Sequence, residues 1–192
     1  MAHLNNRKDI LLLLLYSPGK TSIINEPIVG KTRLIKMLFL FKKEVLSHFA
    51  RGTDISEDNF YEFFAWDFGP FSSQVYDDLM FFTLRGFIES SAATQETLPE
   101  SEEEWDKWLD ESGTGESLQE FDPYEEETFR LTDSGSGFTQ KLFDSLSDQQ
   151  RTLLKQFKNR LSAAPLRAVL RYVYKTYPEE AANSTIKEAV LA

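Results

Sequence analysis

The chain reads as mainly α with a small β-ribbon, a winged-helix-like helical domain, and three observations carry that reading. An apolar-striped segment opens at Gly30-Lys31-Thr32 and runs to Phe49. A further helical pattern from Ser72 stops at Leu84-Arg85-Gly86-Phe87-Ile88. After a long acidic interval the chain returns as Phe129-Arg130-Leu131-Thr132, followed by Asp133-Ser134-Gly135. A helix that ends in a short strand, answered later by a second strand, is how a helix and its wing look in sequence.

Asn5 or Asn6 caps a first helix that runs to about Tyr16, where Pro18 and Gly19 end it. Thr32 caps a second helix from about Arg33 to Phe49. Leu34, Met37, Leu38, Phe41, Val45 and Phe49 form its inner stripe, and Lys36, Lys42 and Lys43 are assigned to its outer side. Phe60 to Phe68 reads as a strand or a buried extended segment, broken by Gly69 and Pro70. Ser72 or Ser73 caps a third helix to about Arg85, with Val75, Tyr76, Leu79, Phe82 and Phe87 directed inward. Gly86 ends it in a left-handed residue. Phe87–Glu89 and Phe129–Leu131 are expected to form the two-stranded wing. Thr132 or Asp133 starts the next helix. Ser147 and Gln150 make a capping box for a helix carrying Leu153, Leu154, Phe157 and Leu161. Pro165 suits the first turn of a last helix with Leu166, Val169, Leu170 and Val173, which Pro178 stops.

The chain has 192 residues, 41% of them hydrophobic and 16 of them phenylalanine, enough for one domain with an aromatic core. Residues 1–192 are therefore read as one domain, with the helices of 144–192 packed on it. Cysteine is absent, which excludes disulfides, thiolate metal sites and cysteine nucleophiles. The only histidines are His3 and His48, so an imidazole-based zinc site is not expected. No cofactor is expected either. The apolar run Ile10–Tyr16 is short for a membrane span and lacks a signal-peptide cleavage pattern, which points to a buried helix and a cytoplasmic protein.

The net charge of −10 is local in origin. Glu96 to Glu127 holds fourteen acidic residues against Lys107 alone, so that span carries −13 and the rest of the chain +3. Residues 91–128 therefore read as an acidic insertion in the wing, mobile or only locally ordered. Trp105, Trp108 and Leu109 stand at helical spacing inside it. They suggest either rings packed on the domain or an interaction arm, for a basic partner or as a mimic of nucleic-acid charge.

Catalytic motifs fail one by one. Gly19-Lys20-Thr21 and Gly30-Lys31-Thr32 resemble the end of a phosphate-binding loop. The glycine that such a loop needs upstream is replaced by Leu14 in one and Asn25 in the other. Asp67-Phe68-Gly69 repeats a kinase tripeptide without any other kinase element. Ser134-Gly135-Ser136-Gly137 lacks both the first glycine of a nucleophile elbow and a histidine downstream. No enzyme is expected.

DNA recognition is the alternative function. A winged helix that reads DNA offers Arg, Lys, Asn or Gln from its recognition helix. The matching helix here presents Gln74, Asp77 and Asp78, with Arg85 only at its end, and aspartates oppose phosphate contacts. A transcriptional regulator would instead use the basic row Lys31, Arg33, Lys36, Lys42, Lys43 and Arg51.

GKTRLIKMLFLF, WDFGPFSSQVYDDL, LRGFIE and FRLTDSG, in that order, resemble the Panacea (SocA-like) antitoxin-domain superfamily and related uncharacterised bacterial proteins. The closing VYKTYPEEAANSTI is similar to the tail of the latter. The resemblance covers about residues 8–140 with the tail in support, and the acidic insertion departs from it. It implies a small bacterial, phage- or defence-related regulatory domain without catalysis, whose partner is a protein, often a toxin encoded nearby. The expected function is thus a protein-interaction module. Its partner would meet the turn Asp67, Phe68, Gly69, Pro70 and Phe71, the adjacent helix, and the arm carrying Trp105 and Trp108.

Overall fold

A computed structural model describes residues 4–92 and 127–192 of the chain. Trp105, Trp108 and nearly all of the expected insertion lie outside the described residues.

Helix α1, Arg7–Tyr16, starts at a complete capping box. The Asn6 side chain accepts from the Lys8 N–H at 2.9 Å, and Asp9 accepts from the Asn5 and Asn6 N–H groups. These bonds satisfy donors that a helix start leaves open. From Ile10 to Tyr16 every residue is buried, so α1 is a core helix rather than an amphipathic surface one.

Strand β1, Ile28–Val29, leads into α2, Lys31–Leu40. The cap of α2 is Gly30 at φ +92, not Thr32. The helix continues through a π-helical turn, Phe41–Val45, into α3, Leu46–Phe49. All residues from Arg33 to Phe41 are buried, which makes α2 the central post of the fold. Phe41 packs edge-on to Phe49 and Phe157 at 5.2 and 5.5 Å, and Phe39 edge-on to Tyr177 at 5.2 Å.

A hairpin follows, with β2, Phe64–Trp66, antiparallel to β3, Gly69–Phe71. Helix α4, Ser73–Leu84, is followed by Arg85 and by Gly86 at φ +69, the left-handed stop expected there. Strands β4, Ile88–Ala92, and β5, Glu127–Leu131, pair antiparallel from Ile88 opposite Leu131 to Ala92 opposite Glu127. The ribbon is therefore longer than the expected Phe87–Glu89 and Phe129–Leu131, because residues 91, 92, 127 and 128, assigned to the insertion, belong to its strands. It is also not two-stranded. β1 adds to the far side of β5, with Ile28 opposite Phe129 and Val29 opposite Thr128, giving the order β1-β5-β4.

The C-terminal part contributes α5, Asp133–Ser145, α6, Asp148–Ala163, α7, Leu166–Thr176, and α8, Lys187–Leu191. Thr132 caps α5, and the Ser147–Gln150 capping box starts α6. Gly135 is required where α5 meets the ribbon, because a Cβ there would lie 2.1 Å from the Phe87 carbonyl oxygen. Helices α1 and α5 pack on each other, as do α2 and α7. The architecture is mainly helical, with two small antiparallel sheets at its side.

Candidate functional site

The hairpin and α4 together present an apolar surface. In the hairpin, Phe64 stands opposite Phe71 and Trp66 opposite Gly69, with Asp67 and Phe68 at the tip. Alternation along the strand puts Phe64 and Trp66 on one side, where they are 45% and 52% exposed. Phe64 and Trp66 meet edge to face at 5.9 Å, Phe64 meets Phe71 at 5.4 Å, and Phe71 meets Tyr76 at the start of α4 at 5.4 Å. Four rings thus form one connected cluster, and three of them, Phe64, Trp66 and Tyr76, belong to exposed residues.

The back of the hairpin is tied down. Lys36 of α2 donates from Nζ to the Pro70 carbonyl at 2.8 Å. The Thr185 N–H donates to the Asp67 carbonyl at 2.9 Å, and Asn183 Nδ2 to the Ala65 carbonyl at 3.1 Å. Gly69 holds φ +83 against the Tyr174 ring, where an added Cβ would come within 2.6 Å of Cε1. Burial drives the Tyr174 hydroxyl up to about 12, although its hydrogen bond from Ser184 acts the other way.

Helix α4 carries two apolar stripes. Val75, Leu79 and Phe82 face the core. Tyr76, Met80, Phe81 and Leu84 face outward, with Met80 60% and Leu84 81% exposed. Tyr76 therefore does not point inward as expected. Asp78, expected on the presented face, is buried instead and receives Arg7 Nε at 2.9 Å, with Lys8 Nζ at 3.7 Å. That pairing anchors α4 to α1. The neighbouring Tyr61 hydroxyl is held well above its ordinary pKa, chiefly by burial and then by the Asp78 carboxylate.

Of the expected turn residues, Asp67 is exposed, Phe68 and Phe71 are partly buried, and Gly69 and Pro70 are buried. The turn is thus a scaffold for rings that the sequence reading left out. The signal was present in Phe64-x-Trp66 alternation and in the i, i+4, i+8 spacing of Tyr76, Met80 and Leu84.

The basic row does not form one continuous surface: Lys43 and Arg51 are exposed, but Arg33 and Lys36 are buried. Arg33 is buried and donates from one guanidinium nitrogen to the Leu161 and Ala164 carbonyls at 2.6 and 2.7 Å. Lys36 is buried behind the hairpin, where burial pushes its amine down to about 7. The assignment of Lys36 to an outer side fails because α2 is surrounded by other elements, and the Pro70 carbonyl receives its amine. Lys42 donates to the Tyr61 carbonyl at 2.9 Å. Lys43 pairs with Glu180 at 3.2 Å, and Lys31 with Glu127 at 2.9 Å.

The loop that failed as a phosphate cradle does bind an anion, but the anion is its own. The N–H groups of Gly19, Lys20 and Thr21 converge on the Glu26 carboxylate at 2.8–3.1 Å, and the Thr21 hydroxyl donates to it as well. Burial acts to raise the Glu26 pKa, but these donors and Lys158 more than offset it and hold it below the usual carboxylate value. Lys158 lies beneath, fully buried, with Nζ donating to the Leu15, Ser17 and Glu26 carbonyls at 3.0, 2.6 and 2.5 Å.

Glu44 of the π-helical turn accepts from Arg160, Tyr172 and Tyr177 at 3.0, 2.8 and 3.3 Å. Glu44 and Arg160 flank a shallow cleft floored by Val45 and Phe157. Among the described residues, no group of three His, Asp or Glu side chains is placed to hold a metal ion, and no helix is long and apolar enough to cross a membrane.

No protein-family model, no curated protein and no solved structure matches this chain.

Proposed function

We propose that this chain is a non-enzymatic protein-interaction module, antitoxin-like or defence-associated as the resemblance implies, which binds a protein partner through its aromatic hairpin. The observation that carries the reading is the exposure of Phe64 and Trp66 on a hairpin fixed from behind by three backbone-directed hydrogen bonds. Connected aromatic rings held rigidly at a surface are the side chains that dominate protein interfaces. They offer no chemistry of their own.

In the winged-helix reading, α4 would be the recognition helix and β4–β5 the wing. The outward face of α4 carries Tyr76, Met80, Phe81 and Leu84 beside Asp77, where contacts to base edges need hydrogen-bonding side chains and contacts to phosphate need cations. Of the alternative basic row, two members are buried, three are engaged with acceptors inside the chain, and Arg51 stands exposed. Both facts favour protein over nucleic acid as the partner.

The test is affinity purification of the tagged full chain from its host, beside the Phe64→Ala/Trp66→Ala variant. A stoichiometric protein held by the wild type and lost from the folded variant supports the reading. Equal retention by both would place the partner elsewhere. Recovery of nuclease-sensitive nucleic acid in place of a protein, with affinity falling steeply in salt, would replace the reading with the regulator.

A further inference from the structure

The outward face of α4 has an order that a surface for an unrelated partner would not need. It consists of two adjacent rows at i, i+4, i+8 spacing, Tyr76–Met80–Leu84 and Asp77–Phe81–Arg85. The second row has an acid at one end, a ring in the middle and a base at the other end. Such a row complements itself when a second copy is laid on it antiparallel, because each Asp77 then stands opposite the Arg85 of the other copy and the two Phe81 rings meet. The same twofold arrangement brings Met80 near Met80 and each Tyr76 near the other Leu84.

We propose that two copies of this chain pair through α4, antiparallel about a twofold axis near Met80 and Phe81. Four further observations fit a second copy. All six side chains of the two rows belong to exposed residues. Asp77 makes no ion pair within the chain among the described residues, and Arg85 does no more than lie over its own Phe81 ring at 5.3 Å. Gly86, at φ +69, turns the chain away directly after Arg85, and among the described residues nothing that follows covers Leu84. Finally, Asp78 is locked inward by Arg7 and Lys8, which leaves the second row with Asp77 as its acid and fixes the rotation of α4.

This inference goes beyond the hairpin's partner. Tyr76 is shared with the hairpin's ring cluster, but Phe64 and Trp66 lie outside the two rows, and a twofold pair would carry one hairpin near each end. One helix face covers less than the roughly 800 Å² per partner of a standard interface, so the association is expected to be reversible and concentration-dependent.

The experiment is sedimentation velocity of the untagged full chain across a concentration series. The wild type is expected to shift from monomer to dimer. Leu84→Asp, at a site outside the core, is expected to stay monomeric with unchanged circular dichroism. Asp77→Arg and Arg85→Asp should each weaken the dimer by roughly tenfold, since each puts two like-charged pairs in the interface, and combining them should restore it. A wild type that stays monomeric throughout overturns the proposal. So does a dimer indifferent to Leu84→Asp, or single charge reversals that the double variant does not rescue. Because Leu84→Asp leaves Phe64 and Trp66 in place, loss of the dimer is read separately from loss of the hairpin's partner.

Discussion

Replacing Lys36 by Met should stabilise the protein in mild acid and lose that advantage as the pH rises. The Lys36 amine is fully buried, and its hydrogen bond goes to the Pro70 carbonyl at 2.8 Å. Burial lowers its pKa from the ordinary 10.5 to about 7. At 1.36 kcal/mol per unit, keeping it charged in the folded state costs about 5 kcal/mol. Below the folded value both states hold the proton, so the whole cost is present. Between about 7 and 10.5 the unfolded chain binds more protons than the folded one, so wild-type stability rises with pH across that window. Methionine has similar length, removes the charge, and gives up a charge-assisted hydrogen bond worth about 1–3 kcal/mol. The variant should therefore be more stable than wild type by about 2–4 kcal/mol near pH 6, and the gap should shrink by about 3 kcal/mol by pH 9. Urea unfolding of both proteins at several pH values measures that gap. A gap that does not change with pH would refute the reasoning, because it would mean that the amine titrates as it does in water.

Two further substitutions test close contacts of the backbone. Gly135→Ala should cost about 1–3 kcal/mol in thermal unfolding, since its Cβ would lie 2.1 Å from the Phe87 carbonyl oxygen and backbone has to move; an unchanged midpoint would show that α5 and the ribbon are not so close. Glu26 has a folded pKa below its unfolded one, so it contributes stability above the ordinary carboxylate value that is lost as pH falls through the folded value. Glu26→Gln should then be less stable than wild type at neutral pH by about 2 kcal/mol and should converge with it in acid; parallel acid-unfolding curves would count against the loop as an anion cradle.

Much of the helical framework was legible because its signals are local. The Asn5 or Asn6 cap, the Ser147 capping box, the left-handed Gly86 and the start of α5 at Thr132 or Asp133 each need only a few neighbouring residues. What was missed depends on distant partners. β1 is two residues long and exists through pairing with β5, about a hundred residues later. The π-helical turn at Phe41–Val45 has no pattern that separates it from the α-helix on either side. Tyr76 was assigned inward because one apolar stripe was sought, whereas α4 carries two. Lys36 was placed outside with Lys42 and Lys43 by the rule that cations seek water; the rule holds for the exposed Lys43 and fails for Lys36, where another element supplies a carbonyl oxygen. For Lys36 that acceptor is 34 residues away, and for Arg33 the acceptors are 128 and 131 residues away.

Those buried cations also explain how the surface can be so apolar and still be well defined. Arg33 ties α2 to the C-terminal end of α6, Lys36 ties α2 to β3, and Lys158 ties α6 to the end of α1 and to the loop before β1. Arg33 and Lys158 each meet two or more carbonyl oxygens, which offsets part of the cost of burying their charge, whereas Lys36 donates to the Pro70 carbonyl and keeps a net cost. Removing one such cation would leave its carbonyls without that donor; for Lys158 there are three. The hairpin is thus held from α2, and α4 is held from α1 through Asp78, before any partner arrives. Rings and methyl groups fixed in this way lose little freedom when they are covered, which lowers the side-chain ordering cost that an interface must overcome. The same bonds withdraw two cations of α2 from the surface, so the basic count of the N-terminal region overstates what a nucleic acid would meet. Charge used inside the fold, and apolar surface kept outside it, are two results of one arrangement around α2.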